Sequence, residues 1–177
     1  MDYFAQAVGI VAMLFNILSY QRKTGKGVIA TQCCGSSLFA VNFFLLGAYG
    51  GAILNVIAAI RDFMFYHKDK LKTDRPLWTV VFTVIYFLSY GATFLVFKQT
   101  VSLFYLIVEF LPIIGMIATT LAFRYREAKM IRRFCLISSV SWLVYNFAVF
   151  SIGAIVCELF SIVSIFIAMY RLDRKKS

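Results

Sequence analysis

Residues 101–151 read VSLFYLIVEFLPIIGMIATTLAFRYREAKMIRRFCLISSVSWLVYNFAVFS. An apolar run at 101–123 meets five basic residues, Arg124, Arg126, Lys129, Arg132 and Arg133, and a second apolar run follows at 134–151. A helix rises about 1.5 Å per residue, so roughly 20 apolar residues cross the hydrocarbon core of a bilayer. Two such runs with cations in the gap read as two membrane helices joined on the cytoplasmic side.

The same pattern extends in both directions. Apolar spans fall at 4–20, 28–47, 50–67, 77–97, 101–123, 134–151 and 153–170. Basic residues fill alternate gaps: Arg22, Lys23 and Lys26; then Lys68, Lys70, Lys72 and Arg75; then the five already named; then Arg171, Arg174, Lys175 and Lys176. The other side holds only Lys98, and Arg61 lies inside a span. An even number of spans would set these clusters against one another. The count is therefore seven, with the N-terminus outside and the C-terminus in the cytoplasm. The short gaps Gly47–Gly51 and Ser151–Gly153 suit tight turns, and Pro76 opens the fourth span, where its missing N–H costs nothing.

Composition agrees. Hydrophobic residues make up 62% of the 177, only 15% are charged, and mean hydropathy is +0.83. A soluble domain averages about 45–50% apolar. The net charge of +10 does not indicate nucleic-acid binding, because the cations cap apolar runs instead of forming one stripe. Met1-Asp2-Tyr3 is an acidic start and the first cations follow the first run, so that run is expected to stay as a helix and not be cleaved. Cys33, Cys34, Cys135 and Cys157 lie in or beside apolar runs and read as small packing residues, not a disulfide framework.

Displaced by 102 residues, the chain matches itself. Arg22 meets Arg124, Ile29 meets Ile131, Cys33 meets Cys135, Ser36-Ser37 meets Ser138-Ser139, and Gly51-Ala52-Ile53 meets Gly153-Ala154-Ile155. Spans one to three and five to seven are thus expected to be two copies of one unit. Three helices reverse the side of the chain, so the fourth span serves as a linker and the copies face the same way. The expected fold is all-α and polytopic, in a 3+1+3 layout. The first repeat is 1–70, the loop and linker helix 71–100, the second repeat 101–171 and a basic cytoplasmic tail 172–177.

This layout resembles the SWEET sugar transporters, and each triple resembles a SemiSWEET or PQ-loop unit. Over its whole length the chain more closely resembles the YgjV-like bacterial inner membrane proteins, most specifically in Ser139-Val140-Ser141-Trp142-Leu143-Val144-Tyr145-Asn146 with Gly153-Ala154-Ile155 and Glu158. The SemiSWEET likeness implies a sugar-facing Trp in the second helix of a unit and an Asn sixteen residues later. Trp142 with Glu158, and Phe39 with Asn55, occupy those places here. The Pro-Gln hinge of those families is replaced by Tyr20-Gln21, and Glu158 stands where they have Asn.

Polar groups inside the spans complete the expectation. Glu109 lies about 12 Å, and Glu158 about 8–9 Å, from the outer ends of their spans. An ionisable group at such depth costs about 2.5–3.5 kcal/mol on insertion scales and marks a pair or a site. Arg61 leans outward, where Glu109 or Glu158 can pair with it, while Asp62, its sequence neighbour, does not share its helix face. Asn16, Asn42, Asn55 and Asn146 add amides that bond between helices or line a path. Tyr3, Tyr49, Trp78 and Tyr105 read as interface belt residues, and His67 as a cytoplasmic one.

Phosphate-loop spacing, metal-ligand clusters and nucleophile–base sets are missing, so neither an enzyme nor a cofactor is expected. The leading expectation is a small-solute transporter or facilitator of the bacterial inner membrane. Its site lies between the repeats, on Asn55, Glu158, Trp142, Phe39, Asn42 and Asn146, with Arg61 and Glu109 in a charge network. The bilayer and a small solute are its partners, with anionic lipid at the basic rim and no nucleic acid. The alternative is a membrane scaffold or sensor.

Overall fold

The computed structural model describes residues 3–45, 49–95, 101–148 and 152–174, and helix is their only regular element. Helices run at α1 Tyr3–Ser19, α2 Gly25–Leu45, α3 Tyr49–Tyr66, α4 Lys68–Leu71, α5 Pro76–Leu95, α6 Leu103–Arg124, α7 Ala128–Ala148 and α8 Ile152–Ala168, and a π-helical turn covers Met169–Asp173. Residues 46–48, 96–100 and 149–151, which hold the expected Gly47 and Ser151 turns and Lys98, lie outside the described residues, as do 1–2 and 175–177.

Local chemistry explains several ends. Thr24 accepts from the Gly27 N–H at 3.1 Å and opens α2, and Ser102 accepts from the Tyr105 N–H at 3.3 Å and opens α6. Pro76 is the first residue of α5. Lys72, with φ 53, ends α4 in the left-handed region. Pro112 is accommodated inside α6 and buried there. Two boundaries differ from the sequence reading. The short α4 was not expected, and α7 starts at Ala128, six residues before the expected 134. Lys129, Arg132 and Arg133 therefore belong to helix, not loop, and Arg132 turns inward to Asp173.

The helices pack in two consecutive triples. α2 packs against α1 and α3, and α7 packs against α6 and α8. Between the triples α1 meets α8, α3 meets α6 and α2 meets α7, while α5 lies against α6 and α3. Exchanging the first triple for the second turns the α1–α8 contact into the α6–α3 contact and leaves α2–α7 unchanged.

Polarity is inverted relative to a water-soluble bundle. Arg61, Asp62, Arg132, Gln32, Asn42, Ser139 and Ser161 are buried, whereas large apolar side chains face outward at helical spacing. Ile10, Leu14 and Leu18 do so on α1, Ile53, Val56, Ile60 and Phe63 on α3, and Val156, Phe160, Val163 and Ile167 on α8. Water would penalise such a surface, but lipid does not. Among the described residues, three helical stretches, Gly25–Leu45, Leu103–Arg124 and Ala154–Asp173, are long and apolar enough to cross a membrane, and α1 and α5 add shorter apolar helices.

The apolar core gathers toward the basic end of the bundle. Tyr20, Val28, Ile29, Phe65, Phe82, Tyr86, Ala122, Phe123, Ala128 and Ile131 belong to it.

Candidate functional site

Three polar clusters occupy the interior. The first lies where the triples meet. Glu158, half-buried on α8, and Tyr20, buried just past the end of α1, both lie near Ser139 of α7. Cys135 is buried beside Tyr20, and the Gln32 amide reaches it at 4.0 Å while donating to Ser19 Oγ at 3.1 Å. The cluster joins α1 and α2 of the first triple to α7 and α8 of the second. A hydroxyl, a thiol, an amide and a carboxyl thus converge on one seam.

The second cluster corrects an expectation. Arg61 does not reach Glu109 or Glu158. It folds back on Asp62, with Nη2 at 2.8 Å and Nε at 2.9 Å from one carboxylate oxygen. Neighbouring residues point about 100° apart on a helix, yet the long arginine stem bridges that angle when both groups are excluded from lipid. Ser36 Oγ donates to the other carboxylate oxygen at 2.9 Å, and Arg61 Nη1 lies 3.4 Å from Tyr86 Oη, itself 2.8 Å from Thr120 Oγ1. The guanidinium also sits 5.2 Å from the centre of the Phe123 ring. This network ties together α2, α3, α5 and α6.

The third cluster closes the basic end. Arg132, 2% exposed, pairs with Asp173 and donates to the carbonyls of Tyr20 at 3.3 Å and Arg22 at 3.0 Å. Lys68 donates to the carbonyls of Phe123 at 2.9 Å, Arg124 at 3.3 Å and Tyr125 at 2.5 Å. One cation thus holds the carbonyls of the turn that follows α1, and another caps the C-terminal carbonyls of α6, where the helix dipole is negative. Arg22 and Arg124 are the residues that coincide when the chain is displaced by 102. Burial, and secondarily Arg126, holds the Lys68 ammonium below the ordinary lysine value. Gln21 adds a further tie, its amide donating to Ser164 O and Oγ, both at 2.8 Å.

The expected site residues distribute as follows. Phe39 stacks on Phe43 with centroids 6.2 Å apart, inside its own triple. Asn42 is buried and donates to Ala5 O at 2.6 Å, so it joins α2 to α1. Asn55 is half-buried on α3, and Asn146 is buried on α7. Trp142 lies edge-on to Tyr145, with centroids 5.7 Å apart, and covers Gly115 of α6. Glu109 of α6 lies on the same side of the bundle as Tyr145. Trp142, Tyr145 and Glu109 thus assemble on the α6–α7 face, whereas Phe39 and Trp142 each pack within their own triple.

Two clefts stand out on the bundle. One of about 140 Å³ lies at the basic end, lined by Thr24, Lys26, Phe65, Tyr66, Lys68 and Arg126 among others, with Lys26 Nζ 4.7 Å from the Tyr66 ring centre. The other, of about 350 Å³, follows the α1–α8 seam. Neither is lined by Asn55, Glu158, Phe39 or Trp142. Sequence reading missed Lys68, Arg132, Tyr20, Gln32 and Ser139 as interior groups. The cations were read as loop charges. Only the displaced match of Ser37 with Ser139 and Arg22 with Arg124 hinted at the rest.

Outward-facing apolar helices around a polar interior define an all-helical integral membrane protein. The family described as bacterial inner membrane protein, Imp-YgjV, matches residues 3–176, and the chain belongs to it. It is 29% identical over 158 residues to the inner membrane protein YgjV of Escherichia coli strain K12, covering 88% of this chain and 77% of that protein. No solved structure matches the chain.

Proposed function

We propose that the protein moves a small polar solute across the inner membrane through a site between two like-facing triples, α1–α3 and α6–α8, joined by α5. Seven spans, the N-terminus outside and the basic end in the cytoplasm complete the reading. The observation that carries it is the placement of Glu158. A carboxyl contributed by one triple lies near Tyr20 of the other, next to the polar side chains of Ser139, Gln32 and Cys135. An ionisable group on the seam between repeats is where alternating access needs it. The exchange of α1–α8 for α3–α6 contacts, and a cation at each of the corresponding carbonyls of Arg22 and Arg124, support the repeat.

In this reading the basic end is sealed by Arg132, Lys68 and the core around Phe123, with Asn55 and Glu158 on the outer side of the seal. Trp142 and Phe39 supply apolar walls, and Asn42 and Asn146 support the adjoining helices. Anionic lipid accompanies the cytoplasmic rim. Uptake into proteoliposomes tests the assignment. Glu158→Gln and Asn55→Ala are expected to abolish or sharply reduce uptake of any solute the wild type carries, and undiminished uptake in both sinks it.

A second reading, a scaffold or sensor without transport, is favoured by one specific observation. Arg61 is satisfied locally by Asp62 and Tyr86, and neither cleft is lined by Glu158 or Asn55. Failure of every solute to stabilise the protein thermally in detergent would favour it, since a ligand of the native state raises the melting point by mass action.

A further inference from the structure

The cleft along the α1–α8 seam is lined by Ile17, Gln21, Phe160, Val163, Ile167 and Arg171, with Ser164 at its floor. Its α8 wall is apolar and outward-facing, with Phe160, Val163 and Ile167 each about half exposed. From Phe160 to Arg171 the chain advances about 16 Å at helical rise. That is close to half of a hydrocarbon core of about 30 Å, the depth of a single leaflet. The cleft therefore starts at the basic interface and runs to mid-membrane depth.

Two polar features mark its interfacial end. Arg171 is exposed, and among the described residues it has no hydrogen-bond or ion-pair partner. Gln21 donates both of its amide hydrogens to Ser164, one of them to the main-chain carbonyl. A carbonyl can only accept, so the orientation of the Gln21 amide is fixed. Its Oε1 is buried without a partner. A buried acceptor needs a donor, and an unpaired guanidinium suits a phosphate.

We infer that this cleft holds one glycerophospholipid of the leaflet at the basic end. Its phosphate sits on Arg171, one acyl chain lies along Phe160, Val163 and Ile167, and a headgroup hydroxyl donates to Gln21 Oε1. The inference requires only that the chain is an integral membrane protein and is independent of solute transport. The lipid occupies the seam between the triples, so it acts as a wedge where they adjoin.

Native mass spectrometry of the delipidated full chain tests this with three probes: phosphatidylglycerol, a diacylglycerol with the same chains, and glycerol phosphate without chains. The wild type is expected to retain one phosphatidylglycerol with about tenfold preference over diacylglycerol, the share a charge-assisted hydrogen bond carries in binding. Glycerol phosphate is expected not to compete. Arg171→Gln removes that preference, and Val163→Trp, which fills the cleft from a lipid-facing position, lowers retention of both lipids with helicity unchanged. Equal retention of the two lipids by the wild type, displacement by glycerol phosphate, or unchanged retention in both variants overturns the assignment.

Discussion

Arg61 and Asp62, adjacent in the chain, form a closed ion pair inside the bundle, with Arg61 Nη2 2.8 Å from Asp62 Oδ1 and both side chains nearly inaccessible. The partner chosen by the arginine is the nearest one, because a buried guanidinium must be matched at once and Ser36 and Tyr86 are placed to satisfy the remainder. Removing one member of such a pair leaves the other charge stranded, at about 3–5 kcal/mol, whereas replacing both with apolar groups is often neutral or favourable. Asp62→Asn is therefore expected to lower stability in detergent sharply. The double change Arg61→Met with Asp62→Leu is expected to recover most of the loss. Equal losses in the single and the double variant contradict this.

Each of the two cations at the basic end is expected to hold its own turn. Arg132→Met strands Asp173 and frees the carbonyls of Tyr20 and Arg22, at a cost of about 3–5 kcal/mol. Lys68→Met frees three carbonyls at the end of α6 and costs about 1.5–3 kcal/mol, the value of hydrogen bonds to a charged group. Amide exchange is the discriminating measurement. It rises around residues 20–24 in the first variant and around 123–127 in the second. Unaltered exchange at both places means the caps do not hold the basic end.

Gly115 is constrained by Trp142. A Cβ at this position would lie 2.9 Å from Trp142 Cδ1 and Nε1, closer than real contacts allow. Gly115→Ala is expected to cost about 1–3 kcal/mol, the range for overpacking. Combining it with Trp142→Phe is expected to relieve most of that cost. Thermal unfolding reads both, and a neutral Gly115→Ala shows that α6 and α7 are not held at this separation.

Much of the architecture was legible because lipid imposes simple demands. Apolar runs of bilayer length mark helices, and α1, α2, α3, α5, α6 and α8 fall within a few residues of them. The start of α7 was not, because Lys129, Arg132 and Arg133 look like a loop until Asp173, forty-one residues away, is seen to receive Arg132. The interior pairing was hidden for a related reason. Helix-face rules separate Arg61 from Asp62, but a flexible stem free to bend overrides them. The Glu158 seam was only half visible. The acid stands out in an apolar run, whereas Tyr20 and Gln32 belong to another triple and are brought to it by packing alone.

Cysteine accessibility tests whether the seam is a solute path. In a background lacking Cys33, Cys34, Cys135 and Cys157, Glu158→Cys and Asn55→Cys are exposed to a membrane-impermeant thiol reagent from each side of sealed vesicles. A transport path sealed at the basic end predicts that both are labelled from the opposite side and neither from the basic side. Absence of labelling from either side, in protein that melts like the parent, contradicts transport and leaves a closed bundle with a scaffolding role.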